Sequence, residues 1–356
     1  MALNETIFLT GFPGFIAVRL VKRLATEGAR FLLLVQPAFM ERAREEVARL
    51  ASETDSLPDS FRLIEGDITQ ADLGVSPLEL ERARAETSTL FHLAAIYDLA
   101  VGREPAMRVN VEGTRNVNQF ALSLKNLRRY HYVSTCYVAG LRTGLILETE
   151  LRHEAGFRNF YEETKYLAEL EVDALKSRLP VTIHRPSVVC GDSRTGETAK
   201  YDGIYYLIHY LRKQPSLLSL VNIGNRQVSL NLVPVDFVVE AMTALVRDER
   251  AAGLTLQLAD PKPLSTHELF EAIAKALAGR GSRLTVPPKL VRTSLSLPFS
   301  PTITGLPHAG VPYFFLNQTY DTTQATELLS THGIHCPSFT DYVGALIEFV
   351  DRHPKL

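Results

Sequence analysis

The chain has no run of about 18 consecutive apolar residues, so no helix is expected to cross a membrane. Its first residues, MALNETIFLT, lack the basic opening and long apolar core of a secretory signal. No block of like charge occurs and the net charge is only -2, which argues against a nucleic-acid partner held by electrostatics. Cysteine is scarce: Cys136, Cys190 and Cys336 stand alone, with no C-x-x-C pair. That pattern excludes a disulfide framework and a cysteine zinc site, and it fits reduced thiols in a cytoplasmic protein without a bound metal. Internal repeats and low-complexity tracts are missing too. What is there is 356 residues, 46% hydrophobic and 22% charged, enough to bury a large core in two lobes.

Residues 10–17 read TGFPGFIA. They follow the apolar run 6–9 (TIFL) and lead into 18–25 (VRLVKRLA), which has helical spacing. Strand, glycine turn and helix form the setting in which a dinucleotide pyrophosphate rests on a helix N-terminus, where backbone N–H groups and the helix dipole favour an anion. Gly11 suits the tight turn, Gly14 lets backbone approach phosphate, and Ala17 is small enough for close helix–strand packing. The spacing G-x-x-G-x-x-A is one residue longer at its first gap than the common G-x-G-x-x-G, and a structural turn without ligand produces the same pattern.

Strand-like runs alternate with helical stretches through the first half. Strands are predicted at 6–9, 31–35, 61–65, 89–94, 130–134 and 181–189, with helices near 15–27, 40–52, 110–124 and 161–178. Near-continuous Val/Ile/Leu runs separated by helices indicate a parallel sheet covered on both faces. The expected fold is therefore α/β, a Rossmann-type doubly wound parallel sheet with a smaller, mostly C-terminal substrate-binding lobe. Residues 1–190 and 235–258 would form the dinucleotide-binding domain, and 191–234 with 259–356 the lobe.

The acid that binds ribose hydroxyls about 20 residues past the turn in NAD proteins is missing. That region reads Val35, Gln36, Pro37, with Arg42 and Arg44 nearby. Without an anion there is room for a 2′-phosphate, so NADP(H) is favoured and NAD stays open; Gln36 as a solvated loop residue is the competing reading. Asp67 is placed to meet the adenine edge or, equally, to cap the turn ahead of Thr69. His92 lies inside an apolar run and reads as a packed, hydrogen-bonded core residue. The small Ala94 and Ala95 suit close passage of backbone beside a cofactor.

Tyr161 and Lys165 are four apart and share one helical face. A phenol with a free pKa of about 10 is a poor acid–base group at neutral pH. A neighbouring ammonium, with the positive nicotinamide ring of an oxidised cofactor, lowers that pKa. Lys165 can also donate to the nicotinamide ribose. The competing reading is an amphipathic face on which Tyr and Lys fall four apart by chance. The strand before this helix ends in Val133, Ser134, Thr135, Cys136, and ligands of open α/β sheets bind beyond such strand ends. Thr135 or Ser134 could bond a substrate carbonyl oxygen together with Tyr161, or merely cap the strand end.

TGFPGFIA, the Gly66-Asp67 pair, HLAA, NVEGT at 110–114, VSTCYVAG, YEETK and HRPSVVCGD fall in the order seen in extended short-chain dehydrogenases/reductases, which the chain resembles over about residues 6–192. Within that superfamily it is similar to the thioester-reductase and fatty acyl-CoA reductase branch, the male-sterility family, through VSTCYVAG, YDGIYYLI at 201–208 and NLVPVDFVVEAM at 231–242. The resemblance implies a catalytic set of Thr135, Tyr161 and Lys165, with Gly11 and Gly14 at the pyrophosphate. Further cofactor contacts are expected at Thr10, Phe12, Pro13, Phe15, Ile16, Gln36, Asp67, Ile68, Ala94, Ala95 and Asn110, besides Tyr161 and Lys165 themselves. Backbone at Pro186, Ser187 and Val188 would face the nicotinamide amide.

The implied activity is NAD(P)H-dependent reduction of an acyl thioester, bound to coenzyme A or to a carrier protein, or of an aldehyde, on an apolar chain. A monomer, or a homodimer through the helices near 110–124 and 161–178, is implied with it. Two features depart from the family: Ala17 replaces the third glycine, and Gln36 stands where an arginine usually meets the 2′-phosphate. The adenylation and carrier domains of multidomain thioester reductases are not in the sequence, so a free-standing reductase is expected. Another extended-family enzyme, such as a nucleotide-sugar epimerase or hydroxysteroid-type dehydrogenase, and a redox-silent NAD(P)-binding regulator remain as alternatives.

Beyond Gly191 helices are predicted at 201–212, 235–247, 265–278 and 341–352, with one more sheet strand at 255–258. Ser265 and Glu268 have capping-box spacing. Lys275, Arg280 and Arg283 read as a solvated basic helix end, with a phosphopantetheine or coenzyme A phosphate as the alternative partner. Residues 284–315, with six prolines and little charge, cannot be one regular element and are read as a lid or wall over the cleft, or as an irregular packed connection.

Overall fold

The computed structural model describes residues 3, 5–54, 56–213, 220–297 and 308–355. Seven parallel strands form its central sheet: β1 (Thr6–Thr10), β2 (Arg30–Val35), β3 (Phe61–Glu65), β4 (Thr89–His92), β5 (Arg129–Val133), β6 (Val181–Pro186) and β7 (Thr255–Leu258). Their order across the sheet is 3-2-1-4-5-6-7, so the chain starts in the middle, winds outward, returns, and winds the other way. The reversal between β1 and β4 opens a crevice at the carboxyl ends of those strands, where ligands of such sheets bind.

Alternate side chains of each strand feed two cores. Ile7 and Leu9 of β1 pack with α1 (Phe15–Ala25) and, far along the chain, with Val238, Ala241 and Met242. Phe8, Leu32 and Leu34 face Val117, Phe120 and Ala121 on the other side. Because both faces are covered, β1 is buried along its whole length, which is why it reads as an unbroken apolar run. Each large apolar side chain removed from water contributes about 1.5–3 kcal/mol, and both faces of the sheet bury many of them.

The remaining helices of the sheet layers are α2 (Met40–Thr54), α3 (Pro77–Glu86), α4 (Arg103–Ala106), α5 (Gly113–Ser123) and α6 (Phe160–Asp173). Helix α3 is not apparent in the sequence: its mean hydropathy is low and its apolar residues are few, but Ser76 caps it by accepting from the Glu79 amide at 3.4 Å. A π-helical segment, Met107–Glu112, joins α4 to α5, so the helix begins well before residue 110. The single run expected over 181–189 is broken. Pro186 ends β6, Ser187 is held by the Leu258 carbonyl and by Asn231, and Val188–Cys190 turns off to pair with Leu232–Pro234.

A third core gathers α7 (Ile204–Lys213), α9 (Thr266–Ala278) and α12 (Phe339–Arg352), with Ile208, Phe270, Phe339 and Leu346 at its centre, whereas α8 (Val235–Leu245) and α11 (Thr323–Ser330) pack into the first core and α10 (Pro288–Leu295) joins a small cluster with Val311. The Ser265–Glu268 capping box opens α9, and Gly279 in the left-handed region closes it. Lys275, Arg280 and Arg283 are exposed beside that end. The proline-rich stretch divides into strand Leu284–Thr285, helix α10 and a 3-10 segment, His308–Phe315; its part at 298–307 lies outside the described residues.

Candidate active site

Gly11 leaves β1 with φ +91°, a conformation that costs a side chain strain, and a Cβ there would come within 2.8 Å of the Ala94 amide nitrogen. A Cβ on Gly14 would meet the Gly11 carbonyl oxygen at 2.6 Å. Both glycines are thus demanded by the turn itself. Gly14 is also the N-cap of α1, carries no capping side chain, and is followed by a first turn without an acid. The amides of Phe15, Ile16 and Ala17 therefore open the helix beneath the turn, a cradle that fits a dinucleotide pyrophosphate.

Several expected contact residues turn inward. The Thr10 hydroxyl bonds His92 Nδ1 at 2.7 Å and accepts from the Ala94 amide at 3.2 Å. His92 Nε2 meets Thr114 at 3.0 Å, and burial drops the imidazole pKa to about 3, so His92 is a neutral core residue. Phe12 is buried and Ile16 packs against the same core. Ile68 is buried on Gly113, and its carbonyl accepts from Asn116 at 2.7 Å. Asp67 accepts from the Thr69 amide at 2.8 Å, which is the capping arrangement. Gln36 is half-buried at the start of a 3-10 turn, and Arg42 and Arg44 are exposed on α2. Pro13 is buried and Ala95 exposed. Asn110, buried in the π-helical segment, accepts from the Ile96 amide at 2.8 Å and donates to Thr164 at 3.0 Å, tying the loop after β4 to α6.

At the carboxyl end of β5 the Thr135 hydroxyl accepts from the Tyr137 amide at 3.2 Å, and its polarity acts on the Tyr161 phenol. Ser134, the other hydroxyl at this edge, donates to buried Glu169 instead. Lys165 donates to the Tyr132 hydroxyl at 2.9 Å and to the Val133 carbonyl at 2.8 Å, with its ammonium 4.4 Å from the Tyr132 ring centre. All three side chains are sheltered: Thr135 and Tyr161 are 6% exposed and Lys165 3%. Burial pushes the Tyr161 phenol above its ordinary value, partly offset by the Thr135 side chain, so it is protonated at neutral pH. Burial lowers Lys165 to about 7, against the opposing pull of Glu169.

Four other residues belong to this neighbourhood and were missed in the sequence. Tyr132 supports Lys165 from the adjacent strand. Glu169, wholly buried, pairs with Arg185 through Nε at 2.8 Å. Its position four residues after Lys165 was a readable signal. Tyr97 sets its ring edge-on to Tyr161 at 5.2 Å. Tyr313 donates to Glu162 at 2.6 Å, where Arg158 also binds at 2.8 Å. Among the described residues no cluster of side chains could hold a metal ion.

This chain belongs to the male sterility protein family, whose model matches residues 9–242. It is 27% identical over 286 residues to glycine betaine reductase of Emericella nidulans, covering 75% of this chain and 22% of that protein. It is 25% identical over 284 residues to the fatty acyl-CoA reductase wat of Drosophila melanogaster, covering 69% and 54%. The chain thus spans about a fifth to a half of these curated relatives. Its fold matches the terminal R domain of the myxalamid PKS-NRPS pathway with TM-score 0.82 and 24% identity, covering 100% of this chain and 92% of that one. No helix among the described residues is long and apolar enough to cross a membrane.

Proposed function

We propose that the protein reduces an acyl thioester, carried by coenzyme A or a carrier protein, or an aldehyde, on an apolar chain, with NADPH favoured over NADH. The observation that supports this reading is that Thr135, Tyr161 and Lys165 are sheltered together at the carboxyl end of β5, with Lys165 bonded to Tyr132 and to the Val133 carbonyl. When bound, a reduced nicotinamide would supply the hydride that the carbonyl carbon accepts. Thr135 polarises the carbonyl oxygen, and Tyr161, protonated at neutral pH, gives that oxygen its proton. Lys165 returns positive charge to the phenolate left behind and holds the nicotinamide ribose. With a thioester the resulting hemithioacetal collapses, breaking its C–S bond to release thiol and leave an aldehyde. The cofactor would lie on the Gly11–Gly14 turn, past Ala94 and Ala95, with the 2′ end near Gln36.

The test is turnover of purified protein with NADPH or NADH and a panel of acyl-CoAs, aldehydes and UDP-sugars. Reduced-nicotinamide absorbance is expected to fall with thioesters or aldehydes, faster with NADPH. Tyr161→Phe should lower kcat at least ~100-fold with cofactor affinity nearly unchanged. A variant that keeps most of its activity removes Tyr161 from the role, and turnover of UDP-sugars alone assigns the site to another reaction.

A further inference from the structure

A chain of buried hydrogen bonds that the proposed chemistry leaves aside runs from the glycine turn to the helix that carries Tyr161. Its members are Thr10, His92, Thr114, Asn110 and Thr164, each no more than 1% exposed. Counting protons fixes the direction of its bonds. The Thr114 hydroxyl lies 2.6 Å from the Asn110 carbonyl oxygen, which can only accept, so its one proton goes there. Facing His92 Nε2 at 3.0 Å it must then accept, and the imidazole carries its proton on Nε2. Burial keeps the ring neutral, and the charge of Lys165 opposes a second proton. Nδ1 is therefore a bare acceptor, to which the Thr10 hydroxyl donates at 2.7 Å. The Thr10 oxygen is left to accept from the Ala94 amide at 3.2 Å.

Each end of the chain meets one half of the site. At the turn, the Leu93 amide donates to the Thr10 carbonyl at 3.3 Å, and the Ala94 nitrogen lies so close that a Cβ on Gly11 would come within 2.8 Å of it. Residues 93 and 94 thus form one side of the turn, held there through Thr10. At the far end Asn110 accepts from the Ile96 amide at 2.8 Å and donates to Thr164, between Tyr161 and Lys165, at 3.0 Å. Thr164 in turn donates to the Phe160 carbonyl at 2.7 Å, in the first turn of α6. One imidazole stands between the two halves, and its ring cannot flip without breaking the bond at each nitrogen.

We infer that His92 is a positioning residue, which as its Nε2–H tautomer aligns the glycine turn with the helix bearing Tyr161 and Lys165. The inference rests on the reading that this turn holds NADPH and that α6 carries the chemistry, and it adds how the two are kept in register. A neutral imidazole suits the place because it offers one donor and one acceptor on separate edges of a rigid ring.

The experiment measures calorimetric NADPH affinity of the full chain, with NADPH turnover followed separately. Thr114→Val keeps the shape of a side chain too deeply buried to touch a ligand, and removes the acceptor that holds the tautomer. It should weaken NADPH by about fivefold or more and lower kcat by about tenfold or more. Thr114→Ser keeps the hydroxyl and should bring both back to within about twofold of the wild type. Adding Thr114→Val to His92→Phe should cost nothing further, because the chain is already cut. If His92→Phe fails to fold, Thr10→Val takes its place, and its loss combined with that of Thr114→Val should fall short of the product of the two. A Thr114→Val protein with either quantity at its wild-type value, or a double variant whose losses multiply, overturns the positioning role. NADPH binding that responds to Thr114 in a protein that reduces no carbonyl keeps the role at the turn and removes the reductase, whereas turnover indifferent to Thr114→Val does the reverse.

Discussion

Lys165 shows how the site is tuned one residue at a time. Its ammonium is withdrawn from water onto one hydroxyl and one carbonyl, and burial lowers its pKa from 10.5 to about 7. The unfolded chain keeps the proton up to its ordinary pKa, so between about 7 and 10.5 the unfolded state binds more protons than the folded one. Stability therefore rises with pH across that window, and below it the whole penalty of burying the ammonium is present. Lys165→Met removes the titration. The melting temperature of the variant minus that of the wild type should be larger at pH 7 than at pH 9.5, and a difference independent of pH would mean that the lysine is not desolvated. The Tyr161–Lys165 spacing was readable because it is local to one helix. The Tyr132 support was not, because it joins residues 33 apart on a strand and a helix.

At the level of elements, the sheet was plain in the sequence wherever a strand is buried on both faces. Residues 255–258, an apolar run like β1, form β7 where expected. Helix α3 escaped because its surface position leaves few apolar residues to mark a period. The break after Pro186 escaped because it is set by Asn231 and Leu258, both remote in sequence. Helix α6 is tied to β6 by the Glu169–Arg185 pair, whose members are 0% and 2% exposed. Glu169→Gln leaves the guanidinium buried without its counter-charge, at a cost of about 3–5 kcal/mol. Urea denaturation should show that loss, and the double variant Glu169→Met with Arg185→Met should recover most of it. A single variant as stable as wild type would show that the Glu150 carbonyl, which accepts from Arg185 at 3.0 Å, is a sufficient partner.

On the scale of the whole molecule, the surroundings of Tyr161 are assembled from segments some 150 residues apart, and no periodicity or motif announces such a meeting. The 3-10 segment His308–Phe315 belongs to the stretch that the sequence marks as a lid or wall over the cleft, or as an irregular packed connection. Its packing supplies what the sequence could not. Tyr313 receives a hydrogen bond from Asn159 at 2.8 Å, donates to buried Glu162, and lies under the Arg158 guanidinium at 5.5 Å. One phenol thus holds the 3-10 segment against the first turn of α6, through a hydrogen bond to a charged acceptor of the kind worth about 1.5–3 kcal/mol. Tyr313→Phe keeps the ring and removes that bond, while Arg158 still satisfies Glu162. The loss belongs to the docking of the segment rather than to the sheet, so local opening should become easier while the global transition barely moves. Hydrogen exchange should therefore quicken by about tenfold or more in peptides spanning 308–315 and the start of α6, with the exchange of β1, β4 and β5 unchanged. Equal protection in both proteins would show that the aromatic contact with Tyr137 holds the segment without the phenol.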